Sequence, residues 1–436
     1  MTKKPRKARK NVILIIGLPN DLHVVKRILA FGKHRKQKYR FAVMMPQNKT
    51  LLDEEKEVLH LFDIVLTCNF DSPESIMECL APYQDGFVAV TARGEQNIPH
   101  LKKVIPYLPY LRTPTQDSLE WATSKIEMRR RFTAYDKKIT PSYMVVSDTS
   151  KKTIKAIVEK IGTPLVIKPS GLAVSLLVTI AFHQEELEKS LRKVFRHLRV
   201  QYKKNGGRGE PQVLVEQFME GDMYSIDIYV DSRGKMYFCP LVHIKTGRTI
   251  GFDDFFGYQQ MTPTLLAKES IAEAQEASKK AIHALGLRST TVHLELMKTE
   301  QGWKIIELGP RIGGFRDMLY ELAYGIKHTE NDIAVRIPER PKLPRKLKGY
   351  AAALKIFARQ EGVITNFLGV KKVQALESLH SMETNKKIGD RAVFAKNGGK
   401  SVFDILLFNK DRSRLLADIR RIEQALKIET KASSRS

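Results

Sequence analysis

The segment His293-Leu-Glu-Leu-Met-Lys-Thr-Glu-Gln-Gly-Trp-Lys-Ile-Ile-Glu-Leu-Gly-Pro-Arg311 limits what this chain can fold into more than any other stretch of its 436 residues. Apolar and polar residues alternate on both sides of a short polar turn, the pattern of a β-hairpin. A three-residue loop of Glu300, Gln301 and Gly302 would pair Thr299 with Trp303, the glycine taking the left-handed position. That register sets Glu295 opposite Glu307 on one face. A two-residue loop would slip it by one and send them to opposite faces. Carboxylates facing each other across strands, roughly 5 Å apart, repel unless a cation lies between them. Magnesium is held in this way, by one or two carboxylates with phosphate oxygens completing the shell. The competing reading is an exposed hairpin with both charges in water. Flanking Val, Leu, Ile and Met, followed by Pro310, Arg311, Gly313 and Gly314, favour a buried hairpin and metal–nucleotide chemistry.

A chain of this length exceeds one core and predicts two to four domains or subdomains. The longest apolar run, residues 173–182, is about half of the ~20 residues a membrane span needs. Cys68, Cys79 and Cys239 form neither a disulfide framework nor zinc spacing, so a cytoplasmic setting is expected. The formal net charge of +26 raises nucleic acid as a partner. Its lysines and arginines are spread along the chain, however, with dense runs only at residues 1–10 and at Arg129, Arg130 and Arg131. That dispersal does not favour nucleic acid; an acidic substrate stays open.

Residues 11–112 alternate short apolar strands with helical crossovers, an open α/β domain. Its first strand ends in Gly17-Leu18-Pro19, not in a dinucleotide-binding glycine loop. A helix over 117–135 leads into a mixed unit extending to residue 336, with a small α/β subdomain at about 140–215. Strands are expected at 164–168, 174–182, 213–217 and 224–230, and a helix at 270–285 precedes the hairpin. The Pro-rich stretch 337–345 reads as a linker. Beyond it, 346–430 predicts an α+β domain with strands at 349–356, 362–367, 371–379 and 402–408 and a helix at 411–426.

Other residues join the two glutamates. Lys125 lies on a predicted helix, Lys168 ends the apolar strand Leu165-Val166-Ile167, and Glu216 follows Val213-Leu214-Val215 and stands five residues before Gly221. Each alone is weak, since a lone lysine is usually solvated. A helix lysine, a strand-end lysine with a loop, a Glu-x-x-x-x-Gly hinge, a strand glutamate and a Glu-x-x-Pro-Arg, in that order, together resemble the ATP-grasp superfamily, particularly its carboxylate–amine ligases. The resemblance covers residues from about 113 to 335 and implies an ATP-grasp fold with a preceding α/β domain and a trailing β-rich, lid-like one.

It further implies an ADP-forming ligase that makes an amide through an acyl phosphate, on amino acids or small peptides, with ATP and Mg²⁺ (Mn²⁺ as an alternative). Lys125, Lys168 and Ser175 would meet phosphate oxygens, Glu216 the adenine amino group, the backbone of Gln217 and Met219 the adenine edge, and Asp222 the ribose. Glu295 and Glu307 would hold the metal; Arg311, with Lys168, would serve the reacting groups. For substrates the candidates are Lys245, Gln260, Gly314, Phe315 and Arg316, with the Gly313–Gly314 turn equally readable as simple turn geometry. His243 and His293 read as ordinary core or edge histidines. Gly309 replaces an asparagine common in the family, the loop at 170–177 has one glycine, and Met223 and Lys327 also depart from the pattern. These changes bear on the substrate more than on the nucleotide. Rival readings are another ATP-grasp ligase or carboxylase, and a non-catalytic ATP-binding regulator. Homodimerisation is left open.

Overall fold

The computed structural model describes residues 10–432 apart from 20–21, 33–34, 36, 170–177, 205–210 and 253. Four parallel strands come first: Val12–Ile16, Arg40–Pro46, Ile64–Cys68 and Phe87–Ala92. Their order in the sheet is third, second, first, fourth. Apolar side chains leave both faces and build two separate cores, which is why Val12–Ile16 is buried throughout. The first and fourth strands run parallel, and it is between them that the order of strand addition reverses. Their carboxyl ends, at Gly17 and Arg93, therefore flank a topological switch point, where open α/β sheets form crevices.

A second, antiparallel sheet combines Tyr143–Val146, Val213–Gln217, Leu165–Pro169 and Thr179–Ala181, with helices Lys151–Ile161 and Gln184–Lys204 packed on it. This is the small subdomain, and Leu165, Ile167, Val213 and Val215 are fully buried beneath its helices. Gly221 forms its hinge. A Cβ there would sit 2.0 Å from the Lys298 carbonyl oxygen, so only glycine lets the chain cross so close to the hairpin.

The central sheet has nine strands. From one edge the order runs Gly302–Gly309, Thr290–Thr299, Asp222–Val230, Val242–Thr246, Gly257–Thr262, Tyr350–Ile356, Phe403–Asn409 and Leu379–Thr384, with Met236–Phe238 beside Asp222–Val230. Helices Gln116–Thr123, Lys125–Asp136 and Lys268–Ala284 cover one face. Helices Arg316–Tyr324 and His328–Arg336 cover the other.

Three expectations need correction. The helix over 117–135 is two helices, because Ser124 caps the second by accepting from the Glu127 amide at 3.3 Å. Residues 371–379 form the end of a short helix, Val370–Gln374, and only then does the strand Leu379–Thr384 begin. The strands beyond the linker divide between two sheets: Gly362–Leu368, Arg391–Ala392 and Lys427–Lys431 form a small sheet of their own, while Tyr350–Ile356 pairs with Gly257–Thr262 and extends the central sheet. Ala351, Ala352 and Ala353 explain it, since small buried side chains let the strand lie under flanking elements on both faces. The strand expected at 174–182 falls partly outside the described residues; Thr179–Ala181 is its visible part. Among the described residues no helix is long and apolar enough to cross a membrane.

Candidate functional site

Glu295 and Glu307 do stand opposite each other, but by another route than the expected loop. The turn has two residues, Glu300 and Gln301, closed by Thr299 pairing with Gly302. That alone would separate the glutamates. A β-bulge at Ile306 absorbs one residue, after which Glu295 pairs with Glu307. Arg129 fixes the bulge: its Nη2 donates to the Ile306 carbonyl oxygen at 2.7 Å.

Both glutamates open on a cleft of about 2060 Å³ between the parallel sheet, the subdomain sheet and the central sheet. Lys125, Lys168, Glu216, Gln217, Met219, Asp222, Lys245, Gln260, Arg311, Gly314, Phe315 and Arg316 line it too. One cleft thus gathers every expected site residue except Ser175, which lies outside the described residues. Its volume exceeds the 300–1,000 Å³ usual for one small-molecule pocket, leaving room for more than one ligand.

The charges in the cleft are paired in two ways. Lys125 reaches Glu307 at 2.9 Å and Arg311 reaches Glu95 at 2.7 Å, with both acidic partners well exposed to the cleft. Burial draws the Lys125 ammonium down, but Glu307, Glu95 and Glu295 together raise it above its ordinary value. Burial likewise opposes the Glu307 charge, while Lys125, Lys168 and Arg311 keep its carboxyl below the usual range. Deeper in, Glu216 is 1% exposed and both its oxygens are occupied: Arg129 Nε donates to Oε1 and Lys168 Nζ to Oε2, each at 2.5 Å. Burial would push the Glu216 carboxyl up, yet Arg129 and Lys168 outweigh it and hold it at about 2. Burial, with Arg129 adjacent, lowers Lys168.

The geometry bears on several expected roles. Each oxygen of the Glu216 carboxylate already meets a buried cation, Arg129 or Lys168, so it ties those two side chains together at the cleft floor. The Gln217 backbone amide donates to the Ser142 carbonyl at 2.8 Å, so of its main-chain groups the carbonyl is the one left for a ligand. Arg316 is 1% exposed; Nη1 donates to Gln260 and Nη2 to Ser225, both at 2.5 Å. Arg316 and Gln260 are thus bonded to each other inside the cleft wall. Phe315 keeps a cleft position but in a left-handed backbone conformation (φ 58°), strained for an aromatic residue.

His293, read as an ordinary histidine, belongs to the site. Asp227, fully buried, accepts from His293 Nδ1 at 2.6 Å, His328 Nε2 at 2.7 Å and the Gly313 amide at 2.8 Å. The far nitrogen of His293 lies 3.6 Å from Glu295. Burial opposes the imidazolium, but Asp227 and Glu295 raise His293 above its ordinary value. Gly313 is where the loop touches the ring: a Cβ there would meet His293 Nδ1 at 2.3 Å. One buried carboxylate thus ties the strand carrying Glu295 to the loop following Arg311. Its signal was in the sequence. Alternation along Tyr224–Val230 puts Ser225, Asp227 and Tyr229 on one face, an acid amid strand apolars. Arg129 had a signal too, lying four residues after Lys125 and so on the same helix face.

With this geometry in view, likenesses to known proteins can be placed. Residues 161–318 match a family model described as an ATP-grasp domain. Alanine–anticapsin ligase of Bacillus amyloliquefaciens is 30% identical over 260 residues, 56% of this chain and 53% of that protein. Human carnosine synthase 1 is 26% identical over 57% of this chain and 29% of its own length. The chain spans about half, or less, of the length of these two relatives. Across the fold, an L-amino acid ligase from Bacillus licheniformis superimposes with a TM-score of 0.75 at 17% identity, covering 97% of this chain and 99% of that structure.

Proposed function

We propose, from the premise that this chain is an ATP-grasp protein, that it joins a carboxylate to an amine through an acyl phosphate and releases ADP and phosphate. Amino acids or small peptides are the substrates this reading favours, in keeping with the ligases it resembles. The observation that carries the reading is the opposition of Glu295 and Glu307 in a cleft that also holds Lys125, Lys168 and Arg311.

The donor set fits a divalent ion accompanied by phosphate. Two opposed carboxylates are present, and among the described residues no group of three or more His, Cys, Asp or Glu could hold a metal. Glu295 and Glu307 would hold Mg²⁺, which neutralises charge on the phosphoryl group being transferred. Lys125 would leave Glu307 for a phosphate oxygen as the nucleotide enters. Lys168, steadied by Glu216, would meet a second oxygen as a point charge. The carbonyl of Gln217 and the backbone of Met219 would face the adenine edge, and Asp222 the ribose. In the first step a carboxylate oxygen attacks the γ-phosphorus and the bond to ADP breaks. In the second the amine attacks the acyl carbon, phosphate leaves, and the nitrogen loses a proton. Arg311, freed from Glu95, would stabilise the oxyanion between these states; losing such a donor costs on the order of 10²–10³ in turnover. The free cysteines Cys68, Cys79 and Cys239 fit a cytoplasmic setting.

The experiment is a screen of amino-acid pairs with ATP and Mg²⁺, reading ADP and phosphate and identifying the amide by mass spectrometry. Phosphate release with no amide from any pair would sink the ligase reading.

A further inference from the structure

Arg93 is a cleft-wall cation to which the proposed chemistry gives no task. It directly follows the strand Phe87–Ala92, at the switch point of the parallel sheet, and lines the cleft together with Leu18, Pro19 and Gly94. Its side chain is 11% exposed, and its Nε and Nη2 are buried with no hydrogen-bond partner among the described residues. The one carboxylate within 4 Å of it, among those residues, is Asp317, at 3.9 Å from Nη1. Asp317 is already engaged: Thr329 donates to it from its amide at 2.7 Å and from its hydroxyl at 2.5 Å. Asp332, behind it, accepts from Thr91, Thr291 and Arg336.

A buried guanidinium with two idle donors is costly unless an anion completes it, and a planar fork fits a carboxylate or phosphate best. The neighbouring pairs say which anion. Glu95, two residues on, touches Arg311, so the segment 93–95 sets Arg93 on the same cleft wall as the partner of Arg311. The carboxylate that is activated must sit between Arg311 and the metal glutamates. A second carboxylate that close belongs to the other substrate. We propose that Arg93 binds the unreacted carboxylate of the amine-bearing substrate, so that the acceptor is an amino acid or peptide with a free carboxyl terminus. This rests on the ligase reading and adds the class of the acceptor to it.

The test compares each acceptor amino acid with its carboxamide, at saturating ATP, Mg²⁺ and donor. The wild-type protein should prefer the acid in kcat/KM, and Arg93→Gln should abolish that preference by raising KM for the acid about 10–100-fold, with the carboxamide affected far less. Arg93→Lys, which keeps charge but not the fork, should fall between. Removing an unpaired buried charge should leave the melting temperature unchanged or raise it, which a structural arginine would not do. Should Arg93→Gln fail to fold, Arg93→Lys carries the comparison, and an undiminished preference in it overturns the assignment. Turnover in the wild type without acid-over-amide preference overturns the Arg93 assignment alone. Stronger competition by inorganic phosphate than by acetate against the acceptor overturns it in favour of a phosphorylated substrate. No turnover with any pair removes the ligase reading, and this inference with it.

Discussion

Two kinds of charge centre lie side by side in this molecule, and they answer to different demands. Asp227 and Glu216 are sealed in the interior with every near donor aimed at them. Glu307 and Glu95 face the cleft, each with a single cationic partner that a ligand could draw away. The first kind sets distances between elements; breaking one strands an uncompensated charge in a low-dielectric interior. The second kind holds charge in readiness, and breaking it alters chemistry more than folding. Sequence distance is no guide to the class: Glu95 is two residues from Arg93, and Asp227 two from Ser225.

Four substitutions or titrations would sharpen this contrast. Asp227→Ala should cost most, above about 4 kcal/mol of unfolding free energy, since three donors lose one acceptor together. Urea unfolding would measure it, and a loss under about 1 kcal/mol would mean that the network is incidental. Arg129→Ala should cost about 3–4 kcal/mol, because Glu216 keeps only Lys168. The same variant should weaken Mg²⁺-nucleotide affinity, as the bulge at Ile306 loses its clamp; calorimetry with ADP would show intact affinity if the bulge stands alone.

Glu216 makes a pH claim with a definite sign. Its carboxyl sits at about 2 in the folded chain against an ordinary 4.5. A depressed acid stabilises fully above the unfolded value and loses that contribution as pH falls from about 4.5 towards 2. A shift of this size is worth about 3 kcal/mol, and Glu216→Gln should flatten the acid limb of the unfolding free energy against pH by about that amount. An unchanged acid limb in that variant would contradict the buried pairing. Last in stability but not in activity, Glu307→Gln should change unfolding free energy by less than about 1 kcal/mol. It should nonetheless abolish Mg²⁺-dependent ADP release while ADP binding partly survives. Retained turnover in Glu307→Gln and in Glu295→Gln alike would remove the metal assignment.

Much of the cleft could be read before any coordinates, for a physical reason. Lys168 and Arg311 stand at strand ends beside proline, and Glu216 closes an apolar strand five residues before Gly221, where chain composition itself marks a turn towards a cavity. The hairpin shows the limit. Its loop was misjudged by one residue, and only the bulge at Ile306, invisible in a run of two isoleucines, restored the opposition of Glu295 and Glu307. Arg129 was hidden in a basic run that looked solvated, although it is 2% exposed. Arg316 pointed the other way: next to glycines it suggested a receptor, yet Gln260, Ser225 and the Gly314 carbonyl already engage its two terminal nitrogens. Whether a charge is spent or idle depends on partners far away in sequence, and local pattern does not carry that.

The seam between Gly257–Thr262 and Tyr350–Ile356 bears on any attempt to cut the molecule down. Truncation at the proline-rich stretch would strip the central sheet of its last three strands and bare a row of amide and carbonyl groups along Gly257–Thr262. Such a raw margin recruits other chains. Residues 161–318 alone would therefore precipitate or swap partners rather than stand as a miniature catalyst.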